Sequence, residues 1–195
     1  MHALSKHASD RFAALASATL PFVFVAKHDT HPLVSEQFVN TWNEAVGGSR
    51  AVSLYLTEVL SLATTHLDSP QWTLKHTSAR AVADAVGAVV GASADGALGG
   101  AVASQLWGAV ERALGGKTWE GKEVVLEAFV KFVQAAKGWW MEKEEVKSAI
   151  VKVSFVSYLH PSHFVCKCPF RTCGCCCFGD QFAVLGGLCI SRVWD

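Results

Sequence analysis

The side chains with the most reactive chemistry in this 195-residue sequence are seven cysteines, all of which follow residue 165. Thiolates at this density can bind zinc or another soft metal ion, or take part in redox chemistry. Their spacing differs from that of a structural zinc finger, which needs two Cys-x-x-Cys pairs separated by a loop. We therefore predict no metal site, and keep a thiol-rich metal-binding or redox protein as the alternative. The candidate ligands in that alternative are Cys166, Cys168, Cys173, Cys175, Cys176 and Cys177.

The cysteine-rich segment has a second explanation, which concerns how it is encoded. Helical periodicity ends near Val153, and Lys152-Val153-Ser154 can be encoded by AAG-GTA-AGT, which has the form of an intron donor boundary. We therefore divide the chain into helical repeats over residues 1–152 and an irregular, cysteine-rich tail over residues 153–195. Our hypothesis is that the tail is translated intron or out-of-frame sequence. Transcript sequencing tests it, since messages that mostly read on into the codons of the tail would contradict it.

No other group of residues has the spacing of an active site. Gly116-Lys117-Thr118 resembles the end of a phosphate-binding loop, but Glu111 stands where that motif needs a glycine. His66 and His76 are expected at a helix end or on the surface. The paired carboxylates of Glu144-Glu145 are expected at a helix start, where negative charge is favourable. The sequence therefore predicts a protein that is not an enzyme, without catalytic residues and without a cofactor.

Composition excludes several kinds of partner. The 17 basic and 17 acidic side chains cancel, which leaves no positive excess to neutralise the phosphates of a nucleic acid. A membrane span needs about 20 consecutive apolar residues, and the nearest stretch, residues 12–26, is shorter and contains a proline. We predict a buried helix there, with a targeting sequence as the alternative. Because no cysteine precedes residue 166, the rest of the chain needs no oxidising compartment, and we expect a cytoplasmic and nuclear protein.

The dominant pattern of the first 150 residues is a succession of amphipathic helices separated by glycine and proline. Apolar side chains recur every three or four residues, as a helix needs in order to bury one face against a neighbour. The clearest stripe consists of Val52, Tyr55, Leu56, Val59, Leu60, Ala63 and Leu67. Further stripes are Val34, Phe38, Trp42 and Ala45; Trp72, Ala79, Val82, Ala83, Val86 and Val90; Leu98, Val102, Leu106, Ala109 and Ala113 after an Asp95 cap; Leu126, Phe129, Phe132, Val133 and Ala136; and Val146, Ile150 and Val153.

These helices form pairs that start near Pro32, Pro70 and Thr118. The separations of the starts are close to the repeat length of HEAT and armadillo proteins, about 40–47 residues. A single pair cannot bury its apolar face, so such pairs stack on their neighbours. We therefore predict an all-α fold, an α-solenoid of HEAT/ARM-like antiparallel helix pairs. A compact helical bundle is the alternative.

Several short motifs resemble those of the large HEAT-repeat proteasome adaptor and scaffold family. They are residues 21–29 (Pro-Phe-Val-Phe-Val-Ala-Lys-His-Asp), Thr41-Trp42-Asn43-Glu44, residues 46–51 (Val-Gly-Gly-Ser-Arg-Ala), Leu54-Tyr55-Leu56, Trp72 with Lys75 and Ala79, and residues 114–123. The last stretch resembles the family's Gly-Arg-x-Trp-x-Gly-Lys-Glu signature, with Lys117 in place of the arginine. The resemblance runs in order over roughly residues 15–152, and the tail has no counterpart.

The resemblance implies a non-catalytic protein that binds the core and regulatory particles of the proteasome, stabilises them and checks their assembly, and tethers them to other proteins. It also implies an internal fragment, whose uncovered ends are expected to associate. No contact residue is defined by the motifs, so none is carried over. Trp42, Trp72 and Trp119 are expected to fill gaps between repeats. A generic HEAT-repeat trafficking scaffold is a further alternative, because fold does not fix function.

Overall fold

A computed structural model describes residues 14–45, 49–93, 96–115, 119 and 122–158, together with positions 7 and 10. Every regular element in these ranges is a helix, which confirms the predicted all-α class. None of the helices found there is long and apolar enough to span a bilayer. The helices are α1 (Ala16–Ala26), α2 (Pro32–Ala45), α3 (Ser49–Leu54), α4 (Leu56–Leu67), α5 (Trp72–Ala92), α6 (Gly100–Leu114), α7 (Glu123–Ala135), α8 (Lys137–Trp140) and α9 (Glu144–Tyr158).

The chain divides into two units, and the helices pack together within the first of them, Met1–Val156. Helix α9 continues to Tyr158, past residue 153, where the tail is predicted to start. All seven cysteines and the Gly116-Lys117-Thr118 motif lie outside the described residues. The domain boundary and the interpretations of the tail and of that motif therefore stay predictions.

Helices α1 and α2 form the first antiparallel pair. Residues 12–26 were predicted to hold a buried helix, and α1 indeed buries Val23 and Phe24 completely. Proline is the first residue of α2, as predicted, because it has no N–H to leave unpaired in the first turn. Trp42 is buried, but the prediction is wrong for Val34, which is exposed. The extensive contacts of α2 are with α1, so only part of its predicted stripe is covered.

The clearest predicted stripe is confirmed in α3 and α4. Of its seven residues, all except the half-buried Tyr55 are buried. The helix is interrupted at Tyr55, although the backbone N–H of Tyr55 still reaches the carbonyl of Ala51 at 3.1 Å. The same face therefore stays buried on both sides of the interruption.

Helix α5 lies at the centre of the fold and packs against α1, α3, α4, α6 and α7. Its middle is rich in buried alanine, including Ala81, Ala83 and Ala85. Because alanine has only a β-carbon, several helices can approach α5 closely. Val82 and Val86 are buried as predicted, and the stripe ends on Val89 instead of Val90.

The turn from α5 to α6 is held by backbone geometry. Gly96 has a φ of 63°, in the left-handed region that favours glycine. The N–H of Leu98 then donates to the carbonyl of Ala135, at the end of α7, at 2.9 Å. Helix α6 begins after Gly99, which offers no side-chain cap, instead of directly after the predicted Asp95 cap.

The described helices pack as successive pairs. Helix α1 packs against α4 and α5 of the next pair, α4 packs against α6, and α5 packs against α6 and α7. Among these helices, α1 and α2 share no extensive contact with α6 or α7. This order of contacts is consistent with the predicted α-solenoid.

A candidate partner-binding groove

An open cavity of 510 Å³ lies where α2, α5 and α7 meet the end of α1. We call it the groove. Its lining combines charged side chains with a few apolar ones, and none of the described lining residues carries a thiol or a hydroxyl group. The lining residues are Lys27, His28, Val39, Trp42, Asn43, Arg80, Ala83, Asp84, Gly87, Val124, Glu127, Ala128 and Lys131.

One end of the groove is built on Asp84 of α5. Its Oδ2 atom lies 2.6 Å from Lys27 Nζ and 3.1 Å from His28 Nε2. Since an ionised carboxylate can only accept hydrogen bonds, His28 donates this one from its Nε2–H group. Burial raises the pKa of Asp84, but the hydrogen bonds from His28 and Lys27 and their charges outweigh it and lower that pKa to about 2. Asp84 is therefore ionised and locally compensated near neutral pH.

The Lys27 side chain is held by aromatic rings as well as by the carboxylate. Its ammonium lies 4.1 Å from the ring centroid of Phe24 and 5.1 Å from that of Trp42. The two rings pack edge to face with centroids 5.0 Å apart. Aromatic faces attract cations, so the hydrophobic core of the first pair also fixes a charge at the groove.

Two cations of the groove remain without an ion pair. No carboxylate in the described ranges lies within 4 Å of Arg80 or of Lys131. Glu127 and Lys131 are one turn apart on α7, which is the spacing of a favourable helical pair. Their charged atoms nevertheless do not come within 4 Å of each other. Arg80 and Lys131 are therefore available to an external anion.

A second aromatic and basic cluster borders the groove at the start of α5. The His76 ring stacks on Trp119 with centroids 4.1 Å apart and planes at 16°. Burial, together with the positive charges of Arg80 and Lys75, lowers the pKa of His76. Burial and Lys75 likewise lower the pKa of Lys122. The Nε2 atom of His76 is buried and has no hydrogen-bond partner among the described residues.

Several of the residues singled out from the sequence lie where they were expected. His66 lies in the last turn of α4, and Glu144-Glu145 open α9, both as predicted. Trp42 and Trp119 are buried, as a gap-filling role requires, but Trp72 is 55% exposed. The prediction for Trp72 is wrong, because this residue is the first of α5 and its side chain is mostly exposed.

The described residues do not test the thiol-rich alternative. Among the residues that the structure describes, no three His, Cys, Asp or Glu side chains lie together as metal ligands. Its candidate ligands, Cys166 to Cys177, lie elsewhere in the chain. The prediction of no metal site therefore stands as a prediction.

Sequence reasoning missed the groove, although one signal pointed to it. Asp84 is 56 positions from His28, and no spacing rule connects residues so far apart. The signal was the motif of residues 21–29, in which Phe24 lies one helical turn before Lys27 and His28. In the structure these residues form one end of the groove, where Lys27 and His28 are only 15% and 20% exposed and Phe24 is buried.

Stacked helix pairs provide extended surfaces that can contact other macromolecules. The comparisons with known proteins agree. The chain is 27% identical over 129 residues to "Proteasome component ecm29" of Schizosaccharomyces pombe. It is 26% identical over 129 residues to "Proteasome component ECM29" of Saccharomyces cerevisiae. It is 28% identical over 142 residues to the human "Proteasome adapter and scaffold protein ECM29".

These similarities confirm the resemblance to the proteasome adaptor and scaffold family. They cover 66% of this chain for the two yeast proteins and 69% for the human one, and 7% of each relative. The chain therefore spans about 7% of the length of the curated relatives it matches. No family model and no solved structure matches the chain.

Proposed function

We propose that this protein is a non-catalytic adaptor or scaffold that associates with the proteasome. The observation that carries the proposal is the similarity to three proteasome components over about two thirds of the chain. The proposal includes roles in proteasome assembly, stabilisation and tethering, and a location in the cytoplasm and nucleus. It requires no cofactor, because the function is contact between surfaces.

We propose that the architecture is an α-solenoid. The contacts support the pairs α1–α2, α4–α5 and α6–α7, each packed on the next. This grouping starts one helix earlier than the sequence suggested, because the contacts of α1 with α2 support treating these two helices as a pair. The groove then crosses the second helices of three successive pairs, α2, α5 and α7. Solenoids use such extended surfaces to bind partners.

The groove supplies a compatible way of binding. Charged side chains at a protein interface steer association and select the partner, while apolar contacts hold it. The groove has both, since Arg80 and Lys131 carry free charge and the exposed Val39 and Val124 lie beside them. No covalent step is needed.

The experiment that tests the proposal is affinity capture of the tagged full chain under native conditions, followed by mass spectrometry. We expect subunits of the proteasome core and regulatory particles to be enriched over an untagged control. Recovery of trafficking proteins without proteasome subunits would support the generic scaffold instead. Metal analysis of the purified chain adds a second check, because stoichiometric zinc would favour the thiol-rich alternative.

A further inference from the structure

We infer that the groove between α2, α5 and α7 docks an acidic peptide segment of a protein partner. The inference deepens the proposed function and rests on it only for the partner's identity, since a proteasome-associated protein would carry the segment. The chemistry of the segment follows from the side chains in and beside the groove.

The first step is the local balance of charge. The chain as a whole is neutral, yet the groove contains Lys27, Arg80 and Lys131 against Asp84 and Glu127. Asp84 is already occupied by Lys27 and by His28. The groove therefore offers more positive than negative charge to a molecule that enters it.

The two groove cations without an ion pair, Arg80 on α5 and Lys131 on α7, stand on different helices. Lys75 adds a further positive charge near the start of α5, beside His76. Positive charges that are spread in this way match a segment with several acidic side chains, spaced by neutral residues, rather than a single ion.

The second step is shape and polarity. A cavity of 510 Å³ is too large for one small anion and too open to enclose a ligand, but it suits a few side chains of an extended peptide. Val39 and Val124 are exposed beside the cations, so an aliphatic residue of the peptide has a place to bind.

The third step distinguishes a peptide from a nucleic acid. The carboxylate of Glu127 stands in the groove, where it would repel a continuous phosphate backbone. Trp42, which lines the groove, is buried and presents no free face on which a base could stack. An acidic peptide avoids both problems, because its charges are separated by neutral residues.

The test is fluorescence anisotropy with the full chain in reducing buffer. The probe is a short fluorescein-labelled peptide in which glutamate alternates with alanine, and the matched control peptide has glutamine in place of glutamate. We expect the glutamate peptide to bind at least tenfold more tightly, with an affinity that falls as salt rises.

Variants then locate the site. Arg80→Gln and Lys131→Gln are each expected to weaken binding about threefold, as for a partly exposed charge pair, and the double variant about tenfold. Arg50→Gln and Lys137→Gln remove exposed cations outside the groove and are expected to leave the affinity unchanged. Circular dichroism of each variant confirms that the helices are intact.

Three results would overturn the inference. The first is equal binding of the two peptides, and the second is an unchanged affinity for the glutamate peptide in the folded double variant. The third is that a single-stranded RNA oligonucleotide binds more tightly than the glutamate peptide and that the same variants abolish this RNA binding. The proposed function fails separately. If the wild-type chain captures proteasomes but does not bind the glutamate peptide, only the groove inference is wrong; if it binds the peptide but captures no proteasome, only the proposed function is wrong.

Discussion

Replacing Asp84 with asparagine tests whether the ion pair at the groove stabilises the fold. The carboxylate joins α5 to the end of α1 through Lys27 and His28. Asp84→Asn keeps the size of the side chain and its ability to form hydrogen bonds but removes the charge. The Lys27 side chain, which is 15% exposed, would then lose its counter-ion and retain only the rings of Phe24 and Trp42.

The size of the effect follows from the pKa of Asp84, which falls from 3.8 to about 2 on folding. At about 1.4 kcal/mol per pKa unit, this shift corresponds to a ceiling of about 2.5 kcal/mol. The side chain is 39% exposed, so solvent screening reduces the expected loss to about 1 kcal/mol. Because folding lowers the pKa of Asp84, the carboxylate makes its full contribution to the free energy of unfolding above about pH 5. This contribution is lost as pH falls through 3.8 toward 2.

The assay is urea unfolding of the full chain in reducing buffer, followed by far-UV circular dichroism at neutral pH and at about pH 3. Asp68→Asn is the matched control, since Asp68 pairs with Arg112 on the surface, where both side chains are at least half exposed. We expect the control to lose about 0.5 kcal/mol or less. If Asp84→Asn loses no more than the control at neutral pH, or the same amount at both pH values, the reasoning is refuted.

Three further predictions concern the core and its histidine. Phe24→Ala is expected to cost about 3–5 kcal/mol of unfolding free energy, because the side chain is fully buried, whereas Phe22→Ala, at a half-exposed position, should cost about 1 kcal/mol or less; similar losses by urea unfolding would contradict the packing of α1. Because folding lowers the pKa of His76, we expect the free energy of unfolding to be unaffected by the titration of this residue above about pH 6.5 and to decrease as pH falls through its folded-state pKa. His76→Gln should reduce this pH dependence. An imidazole that titrates at or above pH 6.5 by NMR would count against the prediction. Trp140→Phe is expected to cost about 1–3 kcal/mol, because its buried indole N–H donates to the Val133 carbonyl at 2.8 Å; an unchanged urea midpoint would show that this bond contributes nothing.

The sequence was sufficient to predict helices wherever one face is buried along its whole length. The stripe from Val52 to Leu67 was predicted in this way, because apolar side chains at three- and four-residue spacing have only one efficient place to go. The same pattern failed for Val34 and Trp72. Periodicity shows which face of a helix is apolar, but not how far the neighbouring helix extends to cover it.

The groove could not be predicted because it depends on how the pairs are placed against one another. Asp84 meets His28 only after α5 has packed on α1. Glu127 and Lys131 likewise form no ion pair, although their spacing alone favours one. The family resemblance pointed to a binding protein, and three-dimensional packing was needed to place the charges.

The hydrogen bond from Leu98 to Ala135 has a consequence for how the chain opens. It joins the turn after α5 to the last residue of α7, so the end of α7 cannot fray without releasing that turn. The amide of Leu98 lies outside any helix and would otherwise exchange quickly with solvent. Its exchange rate should instead follow the opening of α7, which makes a single loop amide a reporter of cooperative unfolding across two successive helix pairs.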